Sequence, residues 1–336
     1  MTAETLSTHT EALFQAAVRR VVEALRAGEV VALPTETVYG LAANALDPKA
    51  VSEIYRVKGR PAHNPIIVHV ASAEMARACV AKWPATAEKL AAAFWPGPLT
   101  LVLPRSNNIP DMVTARGATV GVRWPSHPFI QAVIRECGFP LAAPSANLSG
   151  RVSPTTAGHV RRQLGKKLRL IVDGGPSPVG IESTVLDLTA SPPRVLRPGM
   201  IRAPALEAVI GEVRGAKGEG RAAEVLRSPG LLQKHYSPMA RLVVLRWEDD
   251  ADLRKQLETQ NSKPETCHII AHTRIPSAEG FGRVSVIPHD PEAFARAIYA
   301  ELDRCDEAGA DWIIVESPPE DSEWSAIVDR LKRAAS

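Results

Sequence analysis

The stretch VVALPTETVYGLAANALDPKAVSEIYRVKGRPAHNPIIVHV, Val30 to Val70, decides how the chain is read. It opens on a short apolar run, Val30 to Leu33, with the composition of a buried strand. Pro34 stops that strand, because proline has no N–H to continue a ladder. Thr35-Glu36-Thr37-Val38-Tyr39-Gly40 follows, dense in hydroxyls where a packed element is apolar. Further on come Lys58-Gly59-Arg60-Pro61, then Asn64-Pro65, and a second apolar run, Ile66 to Val68, ending at His69. Two strands thus frame a hydroxyl-rich turn, a basic pair, an amide and an imidazole. That is the chemistry of a site for a phosphorylated, polar ligand.

Working outward, Glu11 to Ala27 carries apolar residues at a helical period and stops at Gly28. Ala50 to Val57, Ala73 to Val80, Ala85 to Phe94 and Pro128 to Cys137 read as further helices. Leu99–Leu103, Thr119–Arg123, Leu141–Ala143, Leu168–Val172, Ser183–Leu188 and Val195–Leu196 read as strands. Many strands without regular alternation predict a mixed-sheet α/β domain over residues 1–212. Residues 213–240 are Gly- and charge-rich at first and read as a linker. It ends in Ser228–Pro238, whose composition is too specific for a spacer. Residues 241–336 alternate strand and helix, which predicts a smaller Rossmann-like βα domain.

A length of 336 residues predicts two domains, and 45% apolar content suits a globular chain. No run approaches the ~20 apolar residues of a membrane span. The polar N-terminus lacks the apolar core of a secretory signal. Cys79, Cys137, Cys267 and Cys305 form no CxxC, so buried free thiols and a cytoplasmic location are expected. The net charge of +3 conceals an asymmetry: +7 in 1–212, +3 in 213–240 and −7 in 241–336. A basic front half suits an anionic ligand, nucleotide or nucleic acid.

Neither GxxxxGK[ST] nor a GxGxxG after a strand is present, so other groups must hold any phosphate. Lys58 and Arg60, spaced i, i+2, can clamp a triphosphate or form a solvated surface pair. Arg123 ends an apolar strand, placed either to fork onto a carboxylate or to make a structural ion pair. His69 also ends a strand, as a ligand contact or a core histidine. Ser145, Asn147, Ser149 and Ser153 share one loop and offer hydroxyls to phosphate or ribose, although turn preference explains them equally. His268 and His272 with Cys267 read as strand residues, not as a metal set. With no GxSxG elbow and no arguable Ser-His-Asp triad, a covalent nucleophile is not expected.

Six motifs stand in order: Pro34–Leu41 (PTETVYGL), Lys58–Val70 (KGRPAHNPIIVHV), Trp95–Leu99 (WPGPL), Ala143–Asn147 (APSAN), Gly180–Val185 (GIESTV) and Leu196–Gly199 (LRPG). Together they resemble the threonylcarbamoyl-AMP synthase family, whose members carry a YrdC-type domain. Ser228–Pro238 and the alternating tail look like that family's longer, two-domain form. The tail departs from the expected pattern at Ser325 and Asp329, where glycine and asparagine are expected.

The resemblance implies a YrdC-like mixed twisted-sheet domain followed by the Rossmann-like domain. It implies a nucleotidyltransferase that joins L-threonine, bicarbonate or carbon dioxide, and ATP into threonylcarbamoyl-adenylate and pyrophosphate. That mixed anhydride is labile to water, so a closing lid is expected, at Ser228–Pro238 and jointed at Gly230. A separate transferase complex would then modify the adenosine 3′ of the anticodon in tRNAs reading ANN codons. Carried over by motif, Thr37, His69, Arg123, Ala143 and Ser183 would surround threonine. Lys58, Arg60, Asn64, Thr119, Ser145, Ser153, Arg197, His235 and Tyr236 would lie on the ATP side, with Lys58, Arg60 and Arg123 catalytic. Mg²⁺ would accompany ATP, ligated by phosphate and water and not by protein side chains.

Two rival readings share this fold type. One is a double-stranded RNA or tRNA binder without catalysis, which the +7 front half allows but the hydroxyl- and amide-rich loops suit less well. The other is a carbamoyl transferase acting on carbamoyl phosphate, disfavoured because the further domains and zinc motifs of such proteins are missing.

Overall fold

A computed structural model describes residues 2–215, 235–260 and 262–335. Two compact units result, residues 1–149 with 153–231, and residues 150–152 with 232–336. Of the expected linker, 216–234 lie outside the described residues, and so does the 228–234 part of the expected lid.

The first unit begins with β1 (Glu4–Ser7) and α1 (Glu11–Arg26), whose N-terminus Thr10 caps by accepting from the Leu13 N–H. Then come β2 (Val31–Leu33), β3 (Gly40–Asn44) and α2 (Pro48–Lys58). Asp47 caps α2 at its start, and Gly59 ends it at φ 62°, a left-handed position that a side chain would strain. β4 (Val68–His69), α3 (Ala73–Ala78), α4 (Ala85–Phe94), β5 (Leu99–Pro104) and β6 (Thr119–Arg123) follow. The unit closes with α5 (Pro128–Cys137), β7 (Leu141–Ala142), α6 (Ala157–Leu164), β8 (Leu170–Asp173), β9 (Thr184–Asp187), β10 (Arg194–Arg197) and α7 (Ala203–Ile210).

Its strands form one sheet in the order β1-β8-β2-β3-β7-β4-β6-β5-β9-β10, with parallel and antiparallel pairs mixed. Alternate residues of β2, β3, β7 and β8 serve different cores on the two faces. Val31, Leu33, Ala42, Leu141, Leu170 and Val172 pack with the apolar stripes of α1 and α5. Ala32, Leu41, Ala43, Ala142 and Ile171 face the other way, toward a core with α2, α4 and α6. This double burial is why the strands read as unbroken apolar runs in the sequence.

Several expectations need correction. The hydroxyl turn does not lead straight to α2, because GLAAN at 40–44 forms β3, antiparallel to β2. Ile66 and Ile67 stand outside β4: the Ile66 N–H goes to Val113 O at 2.8 Å, and Ile67 O accepts from Ala143 at 3.1 Å. β1, α6 and α7 went unread. β1 is only four residues long and half-polar, α6 starts from a Thr156 cap inside a Ser/Thr-rich stretch, and α7 is alanine-rich with one buried leucine.

The second unit contains β11 (Arg241–Leu245), α8 (Asp250–Thr259), β12 (Cys267–Ala271), β13 (Arg283–Val286), α9 (Pro291–Glu307), β14 (Trp312–Glu316) and α10 (Ser325–Ala334). Its strands are all parallel, in the order β11-β14-β12-β13, as the alternating pattern predicts. Trp247, Leu253, Leu257, Ile269 and Ile314 lie in its core. Gly150–Val152 belong to this unit although they sit in a loop of the first by sequence. The Ser237 N–H donates to Gly150 O at 2.9 Å, and Arg151 Nη1 to Pro238 O at 3.3 Å.

His268 lies in β12, and His272 follows its end with Nδ1 2.7 Å from His289 Nδ1. Among the described residues no group of three or more His, Cys, Asp or Glu is placed to hold a metal ion. The four cysteines are buried and free. No helix among the described residues is long and apolar enough to cross a membrane.

Candidate active site

The turn after β2 is shaped by its own hydroxyls. Thr35 Oγ1 donates to Val38 O at 2.6 Å and accepts from the Thr37 N–H at 3.2 Å. Loops from distant sequence lock onto it: the Val179 N–H donates to Glu36 O, Gly180 N–H to Thr37 O, and Ala146 N–H to Tyr39 O. Proline at 34 therefore ends the strand, and the hydroxyls supply hydrogen bonds to the turn that follows.

Arg123 ends β6 and stands in register with His69 at the end of β4. Its guanidinium is buried and fans out over this turn. Nε donates to Gly97 O at 3.2 Å, Nη1 to Thr37 Oγ1 at 2.9 Å, and Nη2 lies 2.6 Å from Glu36 Oε1. That last approach is an ion pair between two buried side chains, 4% and 6% exposed. It is not aligned as a hydrogen bond, so Nη2 and both Glu36 oxygens lack a hydrogen-bond partner among the described residues.

His69 Nδ1 is a further buried atom without a partner among the described residues. Burial, then the Arg123 charge, push the His69 pKa down to about 3 against a smaller upward pull from Glu36. The ring is therefore neutral at physiological pH. Ser183 shares a hydrogen bond with Thr100 (Oγ to Oγ1, 2.8 Å) and is clasped by Arg197, whose Nη2 donates to its carbonyl at 3.0 Å and its Oγ at 3.1 Å. Ala143 is buried, its N–H given to Ile67 O.

A second group surrounds the end of α2. Lys58 is buried, with Nζ 2.5 Å from Ser145 O and from Asn147 O and 3.2 Å from Asn147 Oδ1. Arg60 folds onto Asn64 and Pro65, donating to Asn64 O at 3.0 Å, Asn64 Oδ1 at 2.7 Å and Pro65 O at 2.7 Å. The two cations of the basic pair thus hold different loops, and Lys58 is no solvated surface charge. Ser153 Oγ donates to Glu182 Oε1 at 2.6 Å.

Thr37, His69 and Arg123 are brought together in this way, Ser183 and Arg197 form a second cluster, and Lys58, Arg60, Asn64 and Ser145 a third. Thr119 starts β6 while Arg123 ends it, so about 13 Å of strand separates them. His235 and Tyr236 belong to the second unit. There the Tyr236 ring packs on His235 and Tyr299 and beneath the Arg330 guanidinium, at a φ of 62°. Sequence reasoning missed Glu36 as a site residue. Its signal was a lone carboxylate inside a hydroxyl-rich loop, which also reads as an ordinary surface charge.

The chain is similar to known proteins along nearly its whole length. A family model described as telomere recombination matches residues 23–199. One described as threonylcarbamoyl-AMP synthase, C-terminal domain, matches residues 201–336. The threonylcarbamoyl-AMP synthase of Pyrococcus abyssi is 40% identical over 316 residues, spanning 93% of this chain and 92% of that protein. Its counterpart in Bacillus subtilis is 42% identical over 317 residues, spanning 93% and 90%. The crystal structure of P. abyssi Sua5 complexed with L-threonine matches with a TM-score of 0.90 at 37% identity, covering 100% of this chain and 98% of that one.

Proposed function

The chain belongs to the threonylcarbamoyl-AMP synthase family, and we propose that it joins L-threonine, bicarbonate or carbon dioxide, and ATP into threonylcarbamoyl-adenylate with release of pyrophosphate. The observation that carries this reading is the buried group Glu36, Thr37, His69 and Arg123, in a chain whose relative has been solved with L-threonine. A buried guanidinium beside a hydroxyl and a neutral imidazole suits a small hydroxylated amino acid better than a nucleic-acid backbone. Binding of RNA without catalysis is disfavoured on the same ground.

In this reading Arg123 takes the threonine carboxylate, and Thr37, His69, Ala143 and Ser183 line the amino-acid side. Lys58, Arg60, Asn64, Thr119, Ser145, Ser153 and Arg197 serve the nucleotide. The free amine attacks carbon dioxide with loss of a proton, or bicarbonate with loss of water, to give a carbamate, and a carbamate oxygen then attacks the α-phosphorus and displaces pyrophosphate. The enzyme's part is positioning and neutralisation of charge on the departing pyrophosphate. No covalent enzyme intermediate is required. The nucleotide-side groups are cations, amides and hydroxyls, which suit phosphate oxygens and not a bare cation, so they fit Mg²⁺ only as a companion of ATP. Bound that way, the ion would neutralise phosphate charge.

The product is a reactive mixed anhydride, so a transferase complex that passes the threonylcarbamoyl group to tRNA is the implied consumer. Pyrophosphate release from ATP and bicarbonate, assayed with each amino acid in turn, tests the reaction. Threonine dependence is expected, and release with no amino-acid requirement would overturn it. Gel shifts with tRNA across a salt series test direct RNA contact by the basic first unit.

A further inference from the structure

Four buried polar atoms on three neighbouring side chains lack a hydrogen-bond partner among the described residues: Glu36 Oε1 and Oε2, Arg123 Nη2 and His69 Nδ1. Buried polar atoms are nearly always paired, so a cluster of orphans asks for a ligand. A purely structural buried ion pair is held by good geometry, with its remaining lone pairs satisfied. This pair has short distance and poor alignment instead, 2.6 Å between Glu36 Oε1 and Arg123 Nη2.

The chemistry of the orphans is mixed. Arg123 offers donors to an anion, and Glu36 offers acceptors to a cation. Neither can swing away easily. The Glu36 backbone is pinned by Val179 and flanked by the Thr35–Thr37 hydroxyl turn, and Arg123 is tethered at Nε and Nη1. Burial pushes the Glu36 carboxyl up, but the Arg123 charge and contact, followed by the Ser126 and Glu36 backbone N–H groups that face it, outweigh burial and hold the group below its ordinary value. The carboxylate is thus ionised when substrate arrives.

Resting on the reading above, we propose that Glu36 is a substrate-positioning residue that receives the ammonium group of threonine, so that Glu36 and Arg123 together recognise an α-amino-acid zwitterion. The amino acid's carboxylate pairs with the guanidinium and its ammonium with the glutamate, so each buried protein charge gains an aligned partner. A hydroxy acid without the amine satisfies Arg123 but leaves Glu36 facing an apolar CH₂. Selection for an amino group is therefore built into the first loop of the site, one residue before Thr37.

The test compares L-threonine with (R)-3-hydroxybutanoate, the same molecule without its amine, by calorimetry on the full chain and on the variants Glu36→Gln and Glu36→Asp. The wild-type protein is expected to prefer threonine by about 10- to 100-fold, the range of one charge-assisted contact. Glu36→Gln should lose most of that preference by weakening threonine alone, and Glu36→Asp should keep part of it. A parallel loss for both ligands indicates a structural role and overturns the proposal. Wild-type protein that binds the two ligands equally overturns it without any variant. Wild-type protein that binds no threonine overturns the proposed function itself, which is a distinct outcome.

Discussion

Lys58 meets Asn147 at two atoms, its Nζ lying 2.5 Å from the backbone carbonyl oxygen and 3.2 Å from the side-chain Oδ1. Ser145 O, at 2.5 Å, completes a set of three acceptors. Three acceptors match the three hydrogens of an ammonium, whereas a neutral amine would turn its lone pair on one of them. The side chain therefore keeps its proton, although burial and then the Arg60 charge push its pKa well below the usual lysine value.

Replacing this ammonium with an apolar stem of similar length should loosen the APSAN loop. Lys58→Met is expected to cost about 1–3 kcal/mol of stability by stranding the Ser145 and Asn147 carbonyls. Urea titration checks the cost, and pyrophosphate release checks the accompanying fall in turnover. An unchanged urea midpoint would show that Nζ does not hold the loop.

Arg123→Ala removes the proposed carboxylate contact and strands a buried Glu36. Threonine binding is expected to weaken by about 2–4 kcal/mol. Stability should fall separately, by about 3–5 kcal/mol, because an unpaired buried charge remains. Calorimetry with threonine and denaturant titration read the two effects apart. Unaltered threonine affinity would remove Arg123 from the amino-acid side.

Acid should unfold the first unit through His69. Its folded pKa of about 3 lies below the unfolded value of 6.5. Between those values the unfolded chain takes up a proton that the folded chain refuses, so stability falls as pH drops through this window, by up to about 4–5 kcal/mol. Glu36 acts in the same direction at lower pH, because its carboxyl is held below the ordinary value and its contribution is lost as it protonates. Denaturation midpoints from pH 7 to 4 should show the decline, and His69→Gln should flatten it. An equally steep variant would assign the acid sensitivity elsewhere.

Gly199, the last residue of LRPG, has no room for a side chain. A methyl group there would meet Thr184 N at 2.4 Å, Thr184 Oγ1 at 2.7 Å and Ser183 C at 2.8 Å. Two of these are backbone atoms that cannot rotate away. Gly199→Ala is expected to cost about 1–3 kcal/mol by overpacking. By displacing Ser183 it should also weaken threonine binding more than ATP binding. Equal effects on both ligands, measured by calorimetry, would separate Ser183 from the amino-acid side.

How much of this was legible follows from where the information sits. Strands such as Val31–Leu33 and Thr119–Arg123 announce themselves because their central residues are buried and apolar or small. β3 hid because GLAAN lacks β-branched residues and follows a hydroxyl turn, so its pairing depends on β2 and β7 and not on local pattern. Glu36 hid because its significance is a distance to Arg123, 87 residues away, and a carboxylate in a loop carries no mark of burial. Lys58 was visible as a cation, but its two backbone carbonyl partners, Ser145 O and Asn147 O, were not, since backbone acceptors have no sequence signature. Gly150–Val152 were read as part of one continuous loop, because their membership of the second unit rests on backbone bonds to Ser237 and on Arg151.

The division of β2, β3, β7 and β8 between two cores has a consequence for mutational energetics. Val31 and Ala32 are joined by a peptide bond yet share no packing layer, while Leu33 and Val133, far apart in sequence, line the same one. Substitutions at adjacent strand positions should therefore combine additively, and substitutions at distant positions on one face should not. In this sheet, epistasis follows the layers and ignores the order of the chain.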